Sequence, residues 1–283
     1  MLGINRNEGE KLKKEQELLN YEGEDKLICL DEAKERLKIQ KEKLCTFHSN
    51  IKSLDKYIQG FEAGELIIIS GPTKHGKTTL SKSLSKNFSE QGIKTLWFEF
   101  EVTPLQFVFS FPDSIKEIYL PAQLKYQDIS WIKERILEGK IKYGIRIIFI
   151  DHLHYLIDLY HTRNPSLDIG TIIRELKKFA VDEDLVVFAM AHTTKIKLDK
   201  SPTEEDIRDS SFIAQEADST FMVWREVIKN RKGKNKEYTG ETYLIITNHR
   251  RTGVMGERIK LFFKDGFLYE AGVDNSLLTQ GLR

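Results

Sequence analysis

ELIIISGPTKHGKTTLSKSL, residues 65–84, is the stretch that decides the fold. Leu66, Ile67, Ile68 and Ile69 follow one another without a polar break, the pattern of a strand buried on both faces. A G-x4-G-K-T loop spans residues 71–78, and Leu80, Leu84 and Phe88 then recur at helical spacing from Thr78 to Glu90, with Gly92 just past the end. Strand, loop and helix in register turn a pattern match into a mechanism. Gly71 and Gly76 let the backbone curl so that successive N–H groups face inward at phosphate oxygens, and the helix N-terminus adds its positive end. The candidate cradle is Gly71, Pro72, Thr73, Lys74, His75, Gly76, Lys77, Thr78 and Thr79. Lys77 is placed for the β- and γ-phosphates of ATP, and the Thr78 hydroxyl for Mg²⁺.

Working outward, apolar runs alternate with helical segments. Strands are expected at Lys94–Phe100, Ile145–Ile150, Leu185–Ala191, Ser219–Trp224, Thr242–Thr247 and Ile259–Phe263, and a helix at Thr171–Asp182. This alternation predicts an α/β domain, a mostly parallel twisted sheet with helices on both faces. The short connection 264–266 predicts an antiparallel hairpin at one edge. Such a phosphate loop needs a metal-holding acid and a group to activate water. IRIIFID, residues 145–151, ends in Asp151, where the nucleotide would lie, so Asp151 is the second candidate Mg²⁺ ligand. KTLWFEFE, residues 94–101, supplies Glu101 as candidate base, preferred over the deeper Glu99. His192 ends LVVFAMA and is placed either as a γ-phosphate sensor or as a satisfied strand-end residue.

Composition bounds the rest. Of 283 residues, 40% are hydrophobic, enough for a substantial core, and 31% are charged yet leave a net +1. Any nucleic-acid surface must therefore be local, or assembled from several copies. Residues 1–46 form a charged helical extension, 47–273 the ATPase domain and 274–283 a tail. Asp31–Leu44 is the extension's one good helix, capped by Asp31, its thin stripe of Ala33, Leu37 and Leu44 serving either as a solvated tail or as an arm onto a neighbouring subunit. Cys29 and Cys45 lack metal-like spacing and read as reduced bystanders. With neither a membrane-length apolar run nor a signal peptide, a soluble cytoplasmic protein is expected.

Several segments resemble the hexameric DnaB-type helicases of the RecA-like P-loop ATPase class, over roughly residues 47–270. SNIKSLDKYIQGFEAGELIIISG (49–71) is similar to that family's lead into its Walker A motif. FEFEVTPLQ (98–106) resembles the segment holding the catalytic glutamate, which falls on Glu101, and IRIIFIDHLHYLI (145–157) resembles its Walker B strand. DIRDSSFIAQEADSTFMVWRE (206–226) is the most family-specific stretch. TNHRRTGVMGERIKLFF (247–263) resembles the motif whose arginine reaches a neighbour's ATP, on Arg251 by the T-G spacing or on Arg250 by a one-residue shift. His192 stands where DnaB proteins generally carry Gln and where phage primase-helicases and mitochondrial Twinkle carry His. Asp151-His152 after the Walker B strand also resembles those proteins, and His249 stands where the family usually has Lys. Residues 1–45 leave no room for the family's N-terminal domain.

The resemblance implies a homo-oligomeric ring, expected to be a hexamer, that moves along single-stranded DNA, with 5′-to-3′ polarity, and opens forked duplex DNA. A primase or a loader would be its partner. Two loops would face the channel, one with Arg163 and one with Lys195, Lys197 and Lys200, whose alternate lysines suit a track of backbone phosphates. A RecA- or clock-type ATPase that is not a helicase, or a nucleotide-gated accessory or loader protein, remains the rival reading.

Overall fold

The computed structural model describes residues 6–42, 45–157, 164–194, 201–207, 210–229 and 236–272. Backbone contacts divide the chain into two units, residues 1–44 and 45–283.

The first unit has two helices, α1 (Arg6–Leu19) and α2 (Leu30–Glu42), where one was expected. Asp31 lies inside the first turn of α2 with Glu32, complementing the helix dipole rather than capping it. Leu12, Leu18, Leu19, Leu30 and Leu37 are all exposed. Leu44 lies outside the described residues.

The second unit opens with β1 (Thr46–Phe47), α3 (Lys52–Ile58) and β2 (Phe61–Glu62), β1 pairing antiparallel with β2. The main sheet follows: β3 (Leu66–Gly71), α4 (Lys77–Glu90), β4 (Thr95–Glu99), α5 (Pro104–Val108), β5 (Ile118–Tyr119), α6 (Ile129–Tyr143), β6 (Ile147–Asp151), α7 (Pro165–Asp182) and β7 (Val186–His192). The chain ends on α8 (Ser210–Glu216), β8 (Ser219–Lys229), β9 (Lys236–His249), β10 (Glu257–Lys264) and β11 (Phe267–Glu270). The order across the nine strands is β11-β10-β9-β8-β3-β7-β6-β4-β5. From β8 to β5 every pairing is parallel, and β8 to β11 pair antiparallel.

The unbroken apolar run of β3 has the reason expected of it. Leu66 and Ile68 pack on one face with Trp131, Ile132 and Ile136 of α6 and Ile169, Ile173 and Leu176 of α7. Ile67 and Ile69 pack on the other with Leu54 and Ile58 of α3 and Leu80, Leu84 and Phe88 of α4. Both faces are dry, so alternation never appears. The antiparallel portion is wider than a single hairpin: β8 and β9 run well past the expected Ser219–Trp224 and Thr242–Thr247. The expected tight connection does join β10 to β11, with Lys264 opposite Phe267. Helix α6 was not expected; Asp128 starts it by accepting the Trp131 N–H at 2.8 Å. Cys29 and Cys45 are both thiols, neither of them disulfide-bonded. No helix among the described residues is long and apolar enough to cross a membrane.

Candidate functional site

The parallel strands end together, and their ends carry the chemistry. Register places Gly71 of β3 beside His192 of β7, and Glu99 of β4 beside Asp151 of β6. Gly71 has φ +148°, and a Cβ there would sit 2.3 Å from the Val223 carbonyl oxygen of β8, so only glycine lets the loop leave the sheet here. Gly76, at φ +104°, caps the start of α4. Thr73 and Lys74 between them are exposed, and Lys74 has a positive φ of 67°. Lys77 is buried, its Nζ donating to the carbonyls of Gly71 (3.0 Å) and Pro72 (3.5 Å), so the ammonium lies across the mouth of the loop. Burial lowers its pKa, opposed by the charges of Asp151 and Glu101.

The loop's histidine behaves differently from its neighbours. The His75 ring is buried, and its Nδ1 accepts the Arg225 N–H at 2.9 Å. Burial, with Arg225 and Lys77 nearby, pulls its pKa down to about 4. Its side chain pins the loop to β8, which leaves its backbone as the part that can face a phosphate.

Asp151 is buried at the end of β6, and its Oδ2 accepts the Thr78 hydroxyl at 2.5 Å. Its Oδ1 has no hydrogen-bond partner among the described residues. Burial raises its pKa, with the Thr78 bond opposing. A hydroxyl and a carboxylate with a spare buried oxygen, side by side below a phosphate-shaped loop, form the hard-oxygen donor set that Mg²⁺ prefers.

The two glutamates separate into different roles. Glu99 is buried; its Oε1 accepts the N–H groups of Glu101 (2.8 Å) and Val102 (3.1 Å), bracing the turn beyond β4. Burial and the Asp151 charge push its pKa up to about 8, so it is held protonated at neutral pH. Glu101 is the accessible one, its side chain 31% exposed, with Oε1 3.2 Å from both His152 Nε2 and His192 Nε2. The His192 hydrogen bond leads in holding its pKa below the usual carboxylate value. A carboxylate kept ionised next to a buried acid is what a base near a phosphate requires. His152, which follows Asp151 through a cis peptide, was given no role by the sequence, although it directly follows the candidate metal ligand. Burial first, then His192, lowers its pKa to about 3, so it is neutral.

Arg250 and Arg251 lie at the other end of β3. Arg251 donates to Glu65 Oε1 (3.0 Å) and to the carbonyls of Ile58 (2.9 Å) and Gly60 (2.7 Å), and pairs with Glu62 (3.1 Å). Arg250 is more exposed; it donates to the Gln215 carbonyl at 2.7 Å and lies 3.8 Å from Asp218. Asp218 in turn accepts the N–H of Leu66, the first residue of β3. A strand of this length spans about 16 Å, so neither arginine reaches the phosphate loop of its own chain. Arg163, Lys195, Lys197 and Lys200 lie outside the described residues.

A family model described as the DnaB-like helicase C terminal domain matches residues 46–120 and 115–269. The chain is 25% identical over 250 residues to the replicative DNA helicase DnaB of Haemophilus influenzae, covering 76% of this chain and 52% of that protein. It is 24% identical over 251 residues to a probable replicative DNA helicase of Trieres chinensis, covering 76% and 55%. The chain thus spans about half the length of the curated relatives it matches. Among solved structures it is similar to one described as an ATPase domain, with TM-score 0.71 and 21% identity over 85% of this chain and 98% of that one. A DnaB-like replicative helicase described with its interactions with primase gives TM-score 0.70 and 21% identity over 92% and 71%. At that identity the structural likeness shows a shared fold.

Proposed function

The chain belongs to the DnaB-like helicase C-terminal domain family, and from that premise we propose that it is the ATP-hydrolysing motor of a DNA helicase. Residues 71–79 would wrap the triphosphate, with Lys77 on the β- and γ-phosphates. Thr78 and Asp151 would hold Mg²⁺, which when bound neutralises charge on the phosphates. Glu101 would take the proton of the attacking water. His192, one hydrogen bond away, would respond to the γ-phosphate. The open cleft of about 330 Å³ beside the loop, lined by Lys74, Thr79, Arg225 and Phe263, would receive the rest of the nucleotide.

The observation that carries the reading is the meeting of Lys77, Asp151 and Glu101 at one end of the parallel strands while both arginines stand at the other. A cation for the transition state, if it comes from Arg251 or Arg250, must come from a neighbouring copy. That favours a ring with shared sites, a hexamer by family resemblance, moving along single-stranded DNA with 5′-to-3′ polarity and opening forked duplexes. Lys195, Lys197, Lys200 and Arg163 would follow the DNA backbone, and a primase or loader would be the partner. The domain division at 46 and 273 belongs to the same proposal.

An unwinding assay on a forked duplex with ATP and Mg²⁺ tests it. Strand separation that fails when ATP is replaced by a non-hydrolysable analogue is expected. DNA-stimulated hydrolysis without separation would leave a RecA-like ATPase that is no helicase. For the shared site, Arg251→Ala and Glu101→Gln proteins, each inactive alone, should recover turnover when mixed. Recovery at no ratio, with Arg251→Ala fully active alone, removes the trans arginine.

A further inference from the structure

Three side chains from the ends of β4, β6 and β7 meet at one oxygen, since Glu101 Oε1 lies 3.2 Å from His152 Nε2 and 3.2 Å from His192 Nε2. The ligand atoms of Glu101, His152 and His192 all lie within 4.8 Å of one another, a spacing that would suit zinc. The other ring nitrogens decide against a metal. A metal-bound imidazole carries its proton on the second nitrogen and donates it to an acceptor. His152 Nδ1 instead accepts the backbone N–H of His154 at 3.3 Å. His192 Nδ1 is buried with no hydrogen-bond partner among the described residues. With Nδ1 acting as an acceptor, the His152 ring carries its proton on Nε2, and that N–H points at Glu101. The ring is itself held in place: its side chain is 8% exposed and packs against His192 (centroids 4.0 Å) and Tyr155 (4.8 Å).

We infer that His152 is a positioning residue for Glu101: its fixed Nε2–H anchors Oε1 and leaves Oε2 to face the water. The inference rests on Glu101 being the base. A partly exposed glutamate has several rotamers, and only an oriented one is within reach of the nucleophile. His192 also touches Oε1, but in the proposed reaction it turns to the γ-phosphate, leaving His152 as the lasting donor.

Steady-state ATP turnover of the full chain tests this. His152→Leu should lower kcat about 10- to 100-fold, the usual worth of a hydrogen bond to a charged group, with KM for ATP within about twofold. His152→Gln, whose amide can still donate near the Nε2 position, should restore kcat to within about threefold of wild type. Should the leucine variant fail to fold, His152→Asn, whose shorter amide stops short of Glu101, carries the same expectation as leucine. In a Glu101→Gln background, His152→Leu should change the residual rate by less than about twofold, because the group it positions is gone. Multiplying losses in that double variant, a glutamine no better than leucine, or a His152→Leu kcat within twofold of wild type would each overturn the inference. So would one equivalent of zinc bound to the purified wild type and lost from His152→Gln. If Glu101→Gln itself turns over normally, the base assignment and this inference fall together; if only His152→Leu is normal, the base assignment stands alone.

Discussion

The two ends of β3 each gather charge, and they treat it in opposite ways. At the Leu66 end, Arg251, Glu62, Glu65, Lys177, Asp218 and Arg250 form ion pairs and backbone hydrogen bonds that use the groups up. At the Gly71 end, Asp151 Oδ1, Glu99 Oε2 and His192 Nδ1 are buried without hydrogen-bond partners among the described residues, and three acids and two histidines crowd together. Unmet buried polar atoms cost stability, about 1–3 kcal/mol each. At the Gly71 end the unmet atoms belong to acids and a histidine that converge, which suits a ligand that meets them. At the Leu66 end Ser219 Oγ and His249 Nε2 are unmet, but the charged groups are paired within the chain.

Removing the proposed base is the sharpest way to break this contrast. Glu101→Gln should lower kcat by about 10²–10⁴ while leaving thermal stability nearly unchanged, because its carboxylate is partly exposed and its contacts are to two histidines. Turnover and a melting curve measured on the same sample check both halves. A large loss of stability with a small loss of rate would place Glu101 with the structural charges.

Arg251→Ala should cost the folded chain stability that Glu101→Gln does not. It strips four partners, including two backbone carbonyls, and leaves Glu65 buried without its cation. Denaturant unfolding should show a loss of about 2–3 kcal/mol. The Glu65 pKa is already raised by burial, and Arg251 is among the groups holding it down. The loss should therefore be larger above the usual carboxylate range than below it, since only an ionised Glu65 misses its partner.

Glu99 tests the other side by pH. A carboxyl whose folded-state pKa lies above its unfolded value binds more protons folded than unfolded, so stability falls as pH rises between the two. For Glu99 that window runs from about 4.5 to about 8. Gln mimics the protonated form, since its oxygen can still accept the N–H groups of Glu101 and Val102. Glu99→Gln should therefore be the more stable protein at pH 9, by up to about 5 kcal/mol, and by less than about 1 kcal/mol near pH 5. Urea midpoints at the two pH values decide it; equal differences at both would mean that Glu99 is ionised throughout.

How much of this was legible in the sequence follows the same division. The strand, loop and helix around residues 71–78 could be placed because strand, glycines, lysine and helix are contiguous, and the strand-end positions of Asp151 and Glu101 because each stands at or just past the end of an apolar run. The partnership of Glu101 with His152 and His192 could not be read. It arises from the register of β4, β6 and β7, which brings together residues far apart in the chain. The burial of His75 was hidden likewise, because its partner, the Arg225 N–H, lies 150 residues away. Helix α1 was missed because its Lys- and Glu-rich sequence carries only three apolar residues, Leu12, Leu18 and Leu19. The ends of β8 and β9 were missed because apolar patterning gives out at Arg225 and Glu226 while the pairing continues.

Arg250 offers the smallest stability effect and the finest distinction. Its guanidinium is half exposed, 3.8 Å from Asp218, with one hydrogen bond to the Gln215 carbonyl. Exposed pairs of this kind contribute little, so Arg250→Ala should change unfolding free energy by less than about 1 kcal/mol. Turnover then separates the two arginines. A side chain with few ties to its own chain can swing toward a neighbour at little cost, whereas Arg251 must first give up four contacts. If Arg251 is nevertheless the arginine supplied in trans, Arg250→Ala will hydrolyse ATP at close to the wild-type rate. If turnover collapses in Arg250→Ala without loss of stability, Arg250 is the arginine that crosses between subunits, and Arg251 belongs wholly to the paired charges at the Leu66 end of the strand.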